Sequence, residues 1–109
     1  MVERYAISQY EQAARLLPVR WQRIALQLPD WQKEQVEELR LRAGHPMTVL
    51  LPRGEQVVGE EAVVTQGDIE LLCDTVTGYS RYAAAETMAR GYITAKGGFR
   101  IGLCGTAVV

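Results

Sequence analysis

Apolar residues recur at helical spacing in some stretches of this chain and at every second position in others, so helical and extended segments alternate along it. Ser8 and Glu11 form a capping-box pattern that predicts a helix running to Leu17, where Pro18 disfavours its continuation. Pro18 suits the first turn of a second helix, in which Trp21, Ile24, Ala25 and Leu28 make one stripe and Arg20, Arg23 and Gln27 lie outside it. Pro29 and Asp30 break this period. From Val36 onward Leu39 and Leu41 alternate with Glu38, Arg40 and Arg42, the pattern of a half-buried strand that stops at Gly44-His45-Pro46. A second strand, Met47 to Leu51, folds back across that turn, and Pro52-Arg53-Gly54 leads into a short third strand around Gln56 to Val58.

Thr65 and Asp68 repeat the capping logic ahead of Ile69, Leu72, Cys73 and Val76 at helical spacing, with Gly78 placed to end that helix. Ser80 is expected to cap an alanine-rich helix through Tyr82 to Ala89, ending at Gly91. Tyr92-Ile93-Thr94 then extends and Lys96-Gly97-Gly98 turns. Beyond it Phe99, Ile101 and Leu103 alternate with Arg100, Gly102 and Cys104 in a strand predicted to continue through Gly105 to Val109. Hairpin signals outnumber the long crossovers that parallel strands need. The expected fold is therefore α/β (α+β), a mainly antiparallel sheet with helices packed on one side. One domain over residues 1–109 suits this length, and the apolar, still extended Ala107-Val108-Val109 reads as a chain cut within a longer protein.

Composition narrows the function classes. Apolar residues at 48% and charged residues at 23% fit a folded globular domain and exclude a disordered one. A net charge of −1 offers no overall attraction to nucleic acid or anionic lipid. No apolar run approaches the roughly 18 residues of a spanning helix, and Met1 to Tyr10 has no hydrophobic signal core. Cys73 and Cys104 belong to no CxxC motif or Cys/His cluster and are expected as two buried free thiols.

Catalytic chemistry finds no foothold. There is no GxxxxGK[ST] run, and Gly97, Gly98, Gly102 and Gly105 lie within a predicted hairpin with no following helix to hold an anion, so they read as turn and close-packing positions. His45 sits in a predicted surface turn, and the neighbours Glu37–Glu38 and Glu60–Glu61 point in different directions, so no catalytic residue and no metal ligand is assigned. Arg40 and Arg42 share one strand face and Arg100 lies on the polar side of the hairpin. They form a basic patch if their strands are neighbours; the plainer expectation is an ion-paired sheet surface.

Two segments carry a family resemblance. One is Glu38-Leu39-Arg40-Leu41-Arg42-Ala43-Gly44-His45-Pro46. The other runs Ser80-Arg81-Tyr82-Ala83, then Arg90-Gly91-Tyr92-Ile93-Thr94, then Gly97-Gly98-Phe99-Arg100-Ile101-Gly102-Leu103-Cys104-Gly105. Together they are similar to the stage III sporulation protein AA family, from the Leu17-Pro18 step to the end of the chain. The resemblance implies a PAS-like N-terminal accessory domain of an ATPase related to the type II and IV secretion ATPases, in the mother cell of endospore-forming bacteria. It implies ATP and Mg for the full-length protein and no cofactor within these residues, which stop before any Walker motif. The implied partners are the protein's own C-terminal ATPase domain, other copies in a homo-oligomer (a hexamer), and the sporulation membrane proteins of the same operon. The implied location is cytoplasmic, peripheral on the mother-cell side of the forespore membrane, without direct insertion.

In the related secretion ATPases the N-terminal domain packs on the motor and offers arginines to nucleotide, which makes Arg90 and Arg100 the nucleotide-sensing or interdomain candidates here. The chemistry is sound, because guanidinium is permanently charged and grips phosphate through two parallel hydrogen bonds. The competing reading is a stand-alone nucleic-acid-binding module, since related N-terminal domains also occur beside RNA- or DNA-binding modules. Tyr82 and Tyr92 would then be the stacking rings.

Overall fold

The computed structural model describes residues 4–105. Its first helix, α1 (Arg4–Ala14), is already formed at Arg4, so Ser8 lies inside it, where its hydroxyl accepts from Gln12 Nε2 at 3.1 Å instead of capping. The expected start at Ser8 is thereby corrected. A capping pattern has the same sequence appearance wherever a serine precedes a glutamate by three, and Ile7 ahead of it continues the buried stripe of Tyr10 and Ala14. Pro18 occupies the N-cap of α2 (Val19–Leu26), whose Trp21 and Ala25 are fully buried. Asp30–Lys33 then makes a single helical turn, α3, that the broken periodicity did not announce; Pro29 caps it and Asp30 is its first acidic residue.

Strands β1 (Glu38–Arg42), β2 (Thr48–Leu51) and β3 (Gly54–Val57) form the expected antiparallel meander. Helix α4 (Gln66–Val76) opens with a complete capping box. Thr65 Oγ1 accepts from the Asp68 N–H, and the Asp68 carboxylate accepts from the Thr65 N–H. Ser80 caps α5 (Arg81–Arg90) by accepting from the Ala83 N–H, and Gly91 closes it in the left-handed region at φ 86°. Strand β4 (Tyr92–Thr94), a 3₁₀ turn at Lys96–Gly98 and β5 (Arg100–Cys104) complete the chain. The last strand stops at Cys104, so its predicted extension is corrected at Gly105, and the rest of it lies outside the described residues.

The sheet runs β3-β2-β1-β5-β4. Three of its four pairings are antiparallel, whereas β1 and β5 lie parallel at its centre, Glu38 opposite Arg100 through Arg42 opposite Cys104. The segments Glu38–Arg42 and Arg100–Cys104 are therefore direct neighbours.

Alternation decides the two faces. Leu39, Leu41, Val49, Ile93, Ile101 and Leu103 turn to a common core with the helices, while Glu38, Arg40, Arg42, Arg100 and Cys104 turn away. Trp21, Tyr10, Met47 and Ile69 are fully buried there, each contributing about 2 kcal/mol through the apolar area removed from water. The Tyr10 hydroxyl donates to the Ala25 carbonyl at 2.7 Å, and its ring meets Phe99 edge-on at 6.1 Å, so one residue joins α1 to α2 and to the β4–β5 hairpin. Cys73 is buried as expected; Cys104 is exposed, because position 104 falls on the outward-facing set of β5.

Candidate functional site

On the outward sheet face, the register brings Arg40 and Arg42 beside Glu38 and Glu55. Arg40 Nε lies 2.7 Å from Glu38 Oε2 and its Nη1 3.7 Å from Glu55, while Arg42 Nη2 lies 3.4 Å from Glu55. The hydrogen bond to Glu38 holds the Arg40 guanidinium above its ordinary pKa. A hydrogen bond from the Thr48 hydroxyl and the two guanidiniums, against the opposing effect of burial, hold the Glu55 carboxyl below its own. Two arginines and two glutamates thus neutralise one another. Gly102, between Arg40 and Tyr92 in the sheet, makes room for this: a Cβ there would come within 2.8 Å of the Glu38 carboxylate. A cleft of about 240 Å³ lies over this network, lined by Arg40, Arg42, Gly91, Gly102 and the exposed Cys104.

A second arrangement lies at the β4 edge. Arg90 is the last residue of α5, and the left-handed Gly91 turns the chain so that Tyr92 follows at once on an edge strand. Tyr92 pairs with Gly102, which has no side chain, so Arg100, one diagonal step away on β5, reaches its ring. The Arg100 guanidinium carbon sits 4.4 Å from the ring centroid and that of Arg90 5.1 Å. The structure therefore unites the two arginines singled out in the sequence and adds the aromatic ring that carries both.

Among the described residues no carboxylate lies within ion-pair distance of either. Both arginines are exposed, and a groove of about 360 Å³ beside them is lined by Val76, Thr77, Thr87, Tyr92 and Thr94. Two unneutralised guanidiniums, held by stacking, can bind an anionic group with little further loss of side-chain freedom. Tyr82, the other ring named with them, stands at the opposite end of α5 and is 77% exposed.

Arg100 turns to Tyr92 rather than joining Arg40 and Arg42. The turn Gly97-Gly98 fixes the β4–β5 register that does this, so counting residues across that hairpin was the signal that could have set Tyr92 opposite Gly102 and diagonal to Arg100. His45 is exposed in the β1–β2 turn; among the described residues no three His, Cys, Asp or Glu side chains gather as a metal site, and no helix is long and apolar enough to cross a membrane.

The chain matches the family described as "Sporulation stage III, protein AA" over residues 7–109. It is similar to the Stage III sporulation protein AA of Bacillus subtilis (strain 168), with 32% identity over 95 residues, which is 87% of this chain and 30% of that protein. The chain thus spans less than a third of the relative's length. No solved structure matches it. The matched region takes in the paired central strands, the α4–α5 hairpin and the Arg90–Tyr92–Arg100 cluster, and the chain belongs to the sporulation stage III protein AA family.

Proposed function

We propose that this chain is the N-terminal regulatory and assembly domain of a longer sporulation ATPase that powers the mother-cell to forespore channel, and that it is not catalytic by itself. The observation that carries this reading is the Arg90–Tyr92–Arg100 cluster: permanent positive charge, preset by stacking, exposed and unneutralised within the domain. Such a cluster does its work on an anionic group supplied from elsewhere, either a nucleotide phosphate held by the motor or carboxylates at a domain boundary. The family match supports the sporulation role, and its coverage of 30% of the relative supports a larger protein around this domain. In that protein ATP and Mg belong to the motor domain, and the assembly is a homo-oligomer, a hexamer, working at the mother-cell side of the forespore membrane.

The test is Arg90→Ala and Arg100→Ala in the full-length gene product. The reading expects each to lower ATP turnover or assembly by tenfold or so, corresponding to about 1.4 kcal/mol of lost interaction. Unchanged turnover and unchanged assembly in both variants would remove the cluster from this role.

A further inference from the structure

The surface of α4 and α5 on the far side from Arg90 has the opposite character. Glu70 and Asp74, one turn apart on α4, line an open groove of about 610 Å³ together with Tyr79, Ala85 and Met88. Glu70 accepts from Gln66 Nε2 at 3.3 Å, and among the described residues neither carboxylate has a basic partner within ion-pair distance, although Arg81 also lines the groove. Tyr79, which lines the groove and is 68% exposed, is held at φ 65°, unusual for a residue with a Cβ, by its N–H donating to the Asp74 carbonyl at 2.7 Å.

The molecule therefore carries two surfaces whose charges have no ion-pair partner among the described residues: an Arg–Tyr–Arg projection, and a half-apolar groove in which two carboxylates outnumber the one arginine, Arg81. Their placement decides how they can meet. On α5, Arg81, Ala85 and Met88 fall within an arc of about 60°, whereas Arg90 lies about 180° from Arg81. Surfaces on opposite sides of one helix cannot satisfy each other within a molecule, nor can they do so in a two-fold dimer, which needs both on one face. Arginine and tyrosine are also the residue types that most often carry binding energy when seated in a partner's pocket.

We infer that Arg90, Tyr92 and Arg100 of one copy seat in the α4–α5 groove of a second copy, with the guanidiniums on Glu70 and Asp74, so that copies join head to tail. This rests on the reading that the arginines engage an anionic group from outside their own domain, and it names that group.

The experiment measures mass by light scattering on the 109-residue chain up to ~1 mM, first in about 20 mM and then in about 500 mM salt, a change that shortens the screening length from ~20 Å to ~4 Å. The inference expects mass that grows with concentration at low salt and returns to the monomer's at high salt. Two neutral double variants, Arg90→Ala with Arg100→Ala and Glu70→Gln with Asp74→Asn, should each stay monomeric. Mixed in equal amounts they should form a dimer and nothing larger, since each supplies the intact surface the other lacks; that rescue also shows both variants to be folded. A monomeric wild-type chain at low salt overturns the inference. So does association that survives Glu70→Gln with Asp74→Asn. In that last case the head-to-tail seat is wrong whatever the arginine variant does, while the proposed function stands or falls separately, on turnover and assembly of the full-length Arg90→Ala and Arg100→Ala variants.

Discussion

Asp68 does two jobs with one carboxylate. Besides closing the capping box of α4, it accepts from Arg20 Nη2 at 2.7 Å and from Trp21 Nε1 at 3.0 Å, locking α2 to α4. Burial acts to raise its pKa, and the bonds from Arg20, Thr65 and Trp21 outweigh it, leaving the carboxyl below its ordinary value. A depressed folded pKa means that the stabilisation is present above the unfolded value, about 3.9, and is lost as pH falls through the folded value. Asp68→Asn should cost about 2 kcal/mol at neutral pH, and its deficit relative to wild type should shrink steadily below about pH 4, as read from urea midpoints across pH. Lys33 gives a second residue-scale expectation. Its side chain is 7% exposed and its ammonium lies 2.7 Å from Glu11 and 3.9 Å from Asp30, tying α3 to α1. Lys33→Ala should lower stability by about 2 kcal/mol, and Lys33→Met with Glu11→Leu should recover most of it, because an apolar pair avoids the desolvation that the ion pair must offset.

At the scale of elements, local start and stop signals were legible where they follow a break in the helical period, unlike Ser8, which the buried stripe of Ile7 and Tyr10 carries inside α1. The Thr65 capping box, the Ser80 cap and the Gly91 stop all stand where the sequence puts them, because each depends on residues within one helical turn. Thr65→Ala should cost about 1 kcal/mol in thermal unfolding. Gly91→Ala should cost roughly as much again, since a Cβ is disfavoured at positive φ, and it should loosen Arg90 from Tyr92. What the sequence did not display was set by other elements. The single turn of α3 is too short for periodicity to register, and its Lys33 is buried only because Glu11 of α1 meets it. The parallel β1–β5 pairing joins strands separated by the whole α4–α5 hairpin, a partnership no local signal encodes. Cys104 was expected inside on composition, yet the alternation along β5 already placed it outside with Arg100.

At the scale of the whole molecule, the candidate site was half legible. Arg90 and Arg100 came from resemblance to a family to which the chain belongs; that they share one ring, and that Arg40 and Arg42 are neutralised by glutamates, required the sheet order. The functional account places catalysis outside these residues and recognition within them. The most direct measurement is ATP turnover by this chain beside the full-length gene product under the same conditions. The account predicts turnover by the longer protein and none by the chain; hydrolysis of ATP by these 109 residues alone would contradict it.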